Sequence, residues 1–411
     1  MMNFRSFSVI IGSLIISSLT NLKAENWPGW RGPNGDGTSS ETNLPTQWDS
    51  VTNVMWKIPV PGIGHGSPII WEDRIFIISA IPETQERILL CYNSTDGSLL
   101  WKTTVLQAPL ETIHNDNSYA SGTPVTDGRY IYVSFLDGEN IVVAAHDFTG
   151  KQIWIQRPGT FTGPHGHSCS PVLYNDKVII NGASKEKAFL AALSKTDGQI
   201  LWKVDHSNPA NSYSAPLIRE MDGRMQLIYC GNQQVSSFNP EDGSRYWFVN
   251  GPSQEFCATP VYSEKAGLLF VSSSWPERHL LAIRPDGQGD VTNTHVAWRS
   301  TQGAYYVPSP ILSEDYLFTT MTNGNVHCLE AATGNILWKE NMGKQYPSPV
   351  LASGLVYMPN DEGVVTVFKP GAVYENVAKN TLGEGLFASP AISNGKIYIR
   401  GKKNLYCIGK R

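Results

Sequence analysis

Positive charge is not in excess in this chain. Its 32 Lys and Arg stand against 36 Asp and Glu, for a net charge of −4. Nucleic-acid binding needs a dense basic surface to neutralise phosphates, so this balance argues against a DNA or RNA partner. Charged residues are also few, 17% against 41% hydrophobic over 411 residues, which excludes disorder and leaves ample apolar material for a large core. Beyond the first two dozen residues no apolar run approaches bilayer length. There is no Gly-x-Ser-x-Gly elbow, phosphate loop or paired-cysteine metal motif, and no stretch with helical periodicity.

What the chain does have begins at the amino terminus. Arg5 precedes an uncharged apolar run from Phe7 to Leu19, and Ala24 supplies a small residue at a cleavage point. The run is too short to span a bilayer and has the pattern of a secretory signal peptide over residues 1–24. Its removal with Arg5 and Lys23 takes the net charge from −4 to −6. The expected product is a periplasmic or secreted protein without membrane insertion.

The decisive feature is a repeat. A small residue followed by Pro opens an apolar strand eight times: Ser67-Pro68, Thr123-Pro124, Ser170-Pro171, Ala215-Pro216, Thr259-Pro260, Ser309-Pro310, Ser348-Pro349 and Ser389-Pro390. The Pro-to-Pro intervals of 56, 47, 45, 44, 50, 39 and 41 residues suit a four-stranded propeller blade. Within the first interval the order is strand Ile69 to Trp71, tight turn, strand Ile75 to Ser79, strand Arg87 to Tyr92, an Asp96-Gly97 turn, and a fourth strand from Leu99. Asn, Asp and Gly tolerate the positive φ that such hairpin turns need. The expected fold is all-β: an eight-bladed β-propeller of four-stranded antiparallel blades over residues 53–411, preceded by a Gly/Pro/Trp-rich extension over 25–52. The eighth blade has only three strands of its own, through Asn404 to Ile408. Asn53 to Val60, with Trp56, has the fourth-strand signature, so the N-terminal strand is expected to close the C-terminal blade and remove its open edge.

An exported chain can form disulfides, yet Cys91, Cys328 and Cys407 share one repeat position that other blades fill with Ala145, Ala192 and Ala282. A site that accepts Ala or Cys is a small core site, which predicts free thiols there. One bridge among Cys169, Cys230 and Cys257 stays open.

The turn before each fourth strand carries a family signature, fullest in Ala145-His146-Asp147-Phe148-Thr149-Gly150-Lys151-Gln152-Ile153-Trp154, with degenerate copies ending at Trp101, Trp202, Trp247, Trp298 and Trp338. It resembles the tryptophan-docking motif of the pyrroloquinoline quinone-like (PQQ-like) β-propeller repeat family, in which the indole packs between neighbouring blades. The resemblance spans nearly all of the mature chain and identifies a scaffold that hosts several functions. Quinoprotein dehydrogenases of the family have an adjacent-cysteine disulfide over the quinone, and no two cysteines here are adjacent. PQQ and a PQQ-dependent dehydrogenase activity are therefore not expected. The propeller lipoprotein of the outer-membrane β-barrel assembly machinery is similar in length and blade number and works by protein contact. Its lipidated cysteine has no counterpart before Cys91, so no lipid anchor is expected.

Propeller topology puts the residues just before each anchor at the mouth of the central channel. These include Gly64-His65-Gly66, His114 to Tyr119, His165-Gly166-His167, Asn211-Ser212-Tyr213, Glu255-Phe256, Tyr305-Tyr306, Lys344-Gln345-Tyr346 and Leu386-Phe387. The candidate ligand-binding residues are His65, His114, Tyr119, His165, His167, Tyr213, Glu255, Tyr306 and Tyr346. Imidazoles act as acids, bases or ligands of a divalent metal, for which His65, His114, His165 and His167 are the candidates, and tyrosines stack on sugars or peptides. Two functions fit. The first is an exported non-redox binding or interaction module for a protein partner or a glycan or small-molecule ligand. The alternative is a carbohydrate-active hydrolase or lyase using the histidine arc.

Overall fold

The computed structural model describes residues 25–206 and 210–410. Residues 1–24, over which a signal peptide is expected, lie outside them. Eight antiparallel sheets follow one another around a ring. Blades 1 to 8 take their strands from residues 69–107, 125–160, 172–206, 217–250, 261–300, 311–341, 350–381 and 391–408. Within each, strands pair in sequence order from the channel outward. The predicted closure is present: Val54–Pro59 pairs antiparallel with Asn404–Ile408, setting Trp56 opposite Cys407, and becomes the outer strand of blade 8. Blade 4 gains a fifth strand, because Gly289–Asp290 pairs in parallel with its outer edge at Trp247 and Phe248. Among the described residues no helix is long and apolar enough to cross a membrane.

The apolar core is divided into layers between neighbouring blades rather than gathered in one centre. One layer joins Phe76 and Leu89 of blade 1 to Ile131 and Val142 of blade 2, and another joins Tyr132 and Val143 of blade 2 to Val178 and Leu193 of blade 3. The tryptophan repeat belongs to these layers. The indole N–H of Trp56, Trp101, Trp154, Trp202, Trp247, Trp298 and Trp338 each donates to a turn carbonyl of the next blade, at 2.9–3.3 Å. Glycine is required in those turns. At Gly150, with φ of 87°, an added Cβ would lie 2.9 Å from the Trp101 ring. The shared Cys or Ala position now has a cause: Cys91 stands between Phe76 and Trp101, Cys328 between Phe318 and Trp338, and Ala145 between Tyr132 and Trp154. Two large rings flanking one residue leave room only for a small side chain. All six cysteines are free thiols, including Cys169, Cys230 and Cys257.

Blade 7 lacks the docking tryptophan, carrying Ala378 opposite Val367 in its place. Trp48 of the extension fills the gap, stacked on Tyr357 at 6.3 Å with its backbone N–H bonded to Asn380.

The Ser-Pro anchors prove to be a hydrogen-bonded ring. The anchor N–H of one blade donates to the anchor hydroxyl of the next: Ser67 to Thr123, Thr123 to Ser170, Thr259 to Ser309, Ser309 to Ser348, Ser348 to Ser389, and Ser389 back to Ser67, all at 2.8–3.1 Å. The ring breaks at Ala215, which has no hydroxyl. There Thr259 accepts instead from the indole N–H of Trp30, at 2.8 Å.

Trp30 comes from below. Residues 27–38 run under the ring along the inner strands, with Trp27 bridged to Ile70 and Thr38 to Leu351. Arg31, fully buried, donates to the carbonyls of Pro310, Pro349 and Asp36. Burial pushes its pKa down to about 10, with Asp36 opposing the shift. The extension thus plugs the channel on the side opposite the mouth.

Candidate functional site

Above the plug the channel opens into a cup of about 500 Å³. Trp30 is its floor together with Ser170, Ala215, Ser348 and Ser389 of the anchor ring. Seven of the eight interblade connections place a ring on the wall: His65, His114, His165, Tyr213, Tyr306, Tyr346 and Phe387. The eighth connection contributes Cys257.

The rings form two groups. On one side Phe387 lies between His65, at 4.2 Å and nearly parallel, and Tyr346, at 4.9 Å. Burial, reinforced by Arg400 and Lys402, pushes the His65 pKa down to about 3, so this stack is neutral at ordinary pH. On the other side His165 meets His114 edge-on at 5.2 Å and Tyr213 at 5.5 Å. Burial also lowers the His165 pKa. Tyr306 donates to Glu255 at 2.9 Å, and burial with the neighbouring Cys257 and Glu255 drives its pKa far up. It stays a phenol.

The rim is shaped by the connection from blade 1 to blade 2. Its base is held by fully buried Arg87, which pairs with Glu111, donates to the Ala108 carbonyl and faces the Tyr119 ring at 5.9 Å. Its tip reaches across the mouth, where Tyr346 donates to Asp116 at 2.7 Å. That bond is the first cause of a lowered Asp116 pKa. Asn117 donates to the His165 carbonyl, and Lys344 stands over the Tyr346 ring at 4.7 Å.

Six of the nine sequence-derived candidates line the cup: His65, His114, His165, Tyr213, Tyr306 and Tyr346. The other three do not. Tyr119 packs on Arg87, and Glu255 sits behind Tyr306. His167, two residues from His165, is buried against Ser134 at 3.1 Å, with its pKa lowered to about 4 by burial. Of the four histidines proposed as an arc, only His114 and His165 face each other. Asp116, Asn117, Lys344 and Phe387 line the cup from connections placed at the mouth but outside the nine candidates, and Trp30 lines it from the extension. Position immediately before an anchor was the available signal for Phe387. Nothing local marks Trp30 as the floor.

For the quinone after which the repeat is named, the lining is a poor match. A polycarboxylate quinone calls for several cations, and Lys344 is the one Lys or Arg on the wall among the described residues.

An eight-bladed ring with docking tryptophans at the blade junctions defines a PQQ-like propeller. Within that class the chain belongs to the family described as outer membrane protein assembly factor BamB, which it matches over residues 84–340 and 296–411. It is similar to BamB of Yersinia pestis, 22% identical over 352 residues that cover 80% of each chain. It is also similar to a polyvinylalcohol dehydrogenase of a Pseudomonas species, 23% identical over 282 residues, 62% of this chain and 37% of that one. Among solved structures, BamB from Moraxella catarrhalis superposes with a TM-score of 0.62 at 16% identity, covering 86% of this chain and 99% of that one. A europium-containing methanol dehydrogenase gives 0.58 at 11% identity, covering 94% and 98%. At such identities the superpositions speak for the fold alone.

Proposed function

We propose that this chain is an exported, non-redox interaction module whose recognition face is the channel mouth, and that it serves outer-membrane protein assembly. One observation carries the reading: the open cup and the most exposed large aromatic among the described residues lie on the same face. Trp275, 57% exposed, stands on the loop of blade 5 whose carbonyl accepts from Ser253 and Gln254, beside the mouth connection. An exposed indole held on a fixed loop has the character of a contact anchor. The assembly factors named among the relatives supply the biological setting, and the apolar segment Phe7 to Leu19 supports export. A hydrolase or lyase built on the histidine arc draws less support, since His65 is committed to Phe387 and His167 to Ser134.

Deleting the chain from its source organism is expected to lower the level of outer-membrane β-barrel proteins, with wild-type chain restoring it. Truncating an anchoring indole costs about 2 kcal/mol or more of binding, roughly 30-fold, so Trp275→Ala should restore poorly while accumulating normally. Unchanged β-barrel levels in the deletion strain would contradict the assembly role.

A further inference from the structure

The anchor ring leaves a chemical remainder at the floor of the cup. Ser170, Ser348 and Ser389 each accept one backbone N–H, from Thr123, Ser309 and Ser348 in turn. A serine hydroxyl that accepts still has a proton to donate. Among the described residues no side chain or carbonyl takes the proton of any of the three. All three face the cup although they are only 4%, 1% and 7% exposed. The floor therefore presents buried donors that only water or the oxygens of a ligand can satisfy.

Each simple class of occupant fails one part of the lining. A purely apolar group would leave the three hydroxyl protons unpaired under it, at a cost of order 1 kcal/mol or more each. A compact anion would meet aromatic walls, the Asp116 carboxylate and a single wall cation, Lys344. A ring with apolar faces and oxygens around its edge fits all of them. Its faces lie against aromatic walls, its inner oxygens accept from the serines, and its outer hydroxyls meet Asp116 and Asn117 at the rim.

We propose that the cup is a saccharide-binding subsite that takes one or two sugar rings, with the anchor-ring serines as its donor floor and the Tyr346, Phe387 and His65 stack as its wall. Because Trp30 closes the floor, a polysaccharide cannot thread the channel. The site takes a chain end or a free oligosaccharide. The inference rests on the mouth being the recognition face, and adds a ligand class that the assembly role does not require.

The test is calorimetric titration of the chain from residue 25 onward with cellobiose, maltose and N,N′-diacetylchitobiose, beside co-sedimentation with insoluble cell-wall glycan. At least one of these is expected to bind saturably, with a Kd between micromolar and millimolar. Binding of a soluble disaccharide identifies a free ligand, and binding of the polymer alone identifies a chain end; either supports the subsite. Ser389→Ala should weaken binding about tenfold by removing one floor donor. Ala215 already occupies the equivalent position in blade 4, so the ring tolerates alanine. Phe387→Ala should weaken it at least as much. Saccharide binding that neither variant changes would place the site elsewhere and overturn the proposal. So would a cup that ignores every saccharide but takes a phenylalanine-containing peptide sensitive to Phe387→Ala, and that result would leave the mouth standing as the recognition face. No binding of any probe, together with full restoration by Trp275→Ala in cells, would remove both.

Discussion

Acidification from pH 7 to pH 4.5 should unfold the ring. Four histidines are held neutral by burial: His65 has its pKa pushed down to about 3, and His146, His167 and His206 to about 4. For His65 the charges of Arg400 and Lys402 add to burial, and for His206 that of Arg245 does. In the unfolded chain all four return to about 6.5. The folded values lie below the unfolded ones, so between them the unfolded chain binds more protons. Stability is therefore full above pH 6.5, falls as the pH drops below it, and stops falling from this source near pH 4 for three histidines and near pH 3 for His65. Each contributes about 1.4 kcal/mol per pH unit inside its window. Two pH units across four sites amount to on the order of 10 kcal/mol, comparable with the whole stability of an ordinary domain. His146 is the sharpest probe, since neither ring nitrogen has a partner. His146→Leu should make the acid slope shallower by one histidine's share. Thermal melts followed by tryptophan fluorescence from pH 7.5 to 4 check both claims, and a melting temperature flat to pH 4.5 would count against the burial account.

Deleting Val54–Pro59 should be nearly as damaging. The segment supplies the outer strand of blade 8, so its loss bares Asn404–Ile408 as an open edge ready to pair with another chain. It also removes Trp56, whose indole bonds to the Ser94 carbonyl of blade 1 and lies over Gly97. One segment thus ties both ends of the ring to its first blade. Trp56→Ala alone should cost about 3–5 kcal/mol, and the deletion should lower the melting temperature by on the order of 10 °C or more, with aggregation. Calorimetry of the two variants measures this; melting like that of the wild type would refute closure by this strand.

The ring was legible in the sequence because its determinants are local and repeat. A small residue before Pro is read eight times, and the structure shows what seven of the eight do: their hydroxyls form the ring around the channel, broken at Ala215. The Gly turns and docking tryptophans were legible for the same reason, each pairing within one blade or with the next. Features that depend on contacts between distant residues were not. Trp48 standing in for the missing tryptophan of blade 7, and Arg31 reaching Pro310 and Pro349, leave no trace in any repeat. At the cup, topology named the loops but not the directions of their side chains. His165 faces the mouth and His167 the interior of blade 2 although one residue separates them. Asp116 was passed over because its partner, Tyr346, lies 230 residues away.

The most direct measurement of the central claim, that recognition happens at the mouth, is photo-crosslinking in the living source cell. A photoreactive residue is placed in turn at Lys344 and Trp275 on the mouth face, and at Asn175 and Glu314 in turns on the opposite face. Discrete crosslinked species are expected from Lys344 and Trp275 and none from Asn175 or Glu314. Crosslinks confined to Asn175 and Glu314 would contradict the claim.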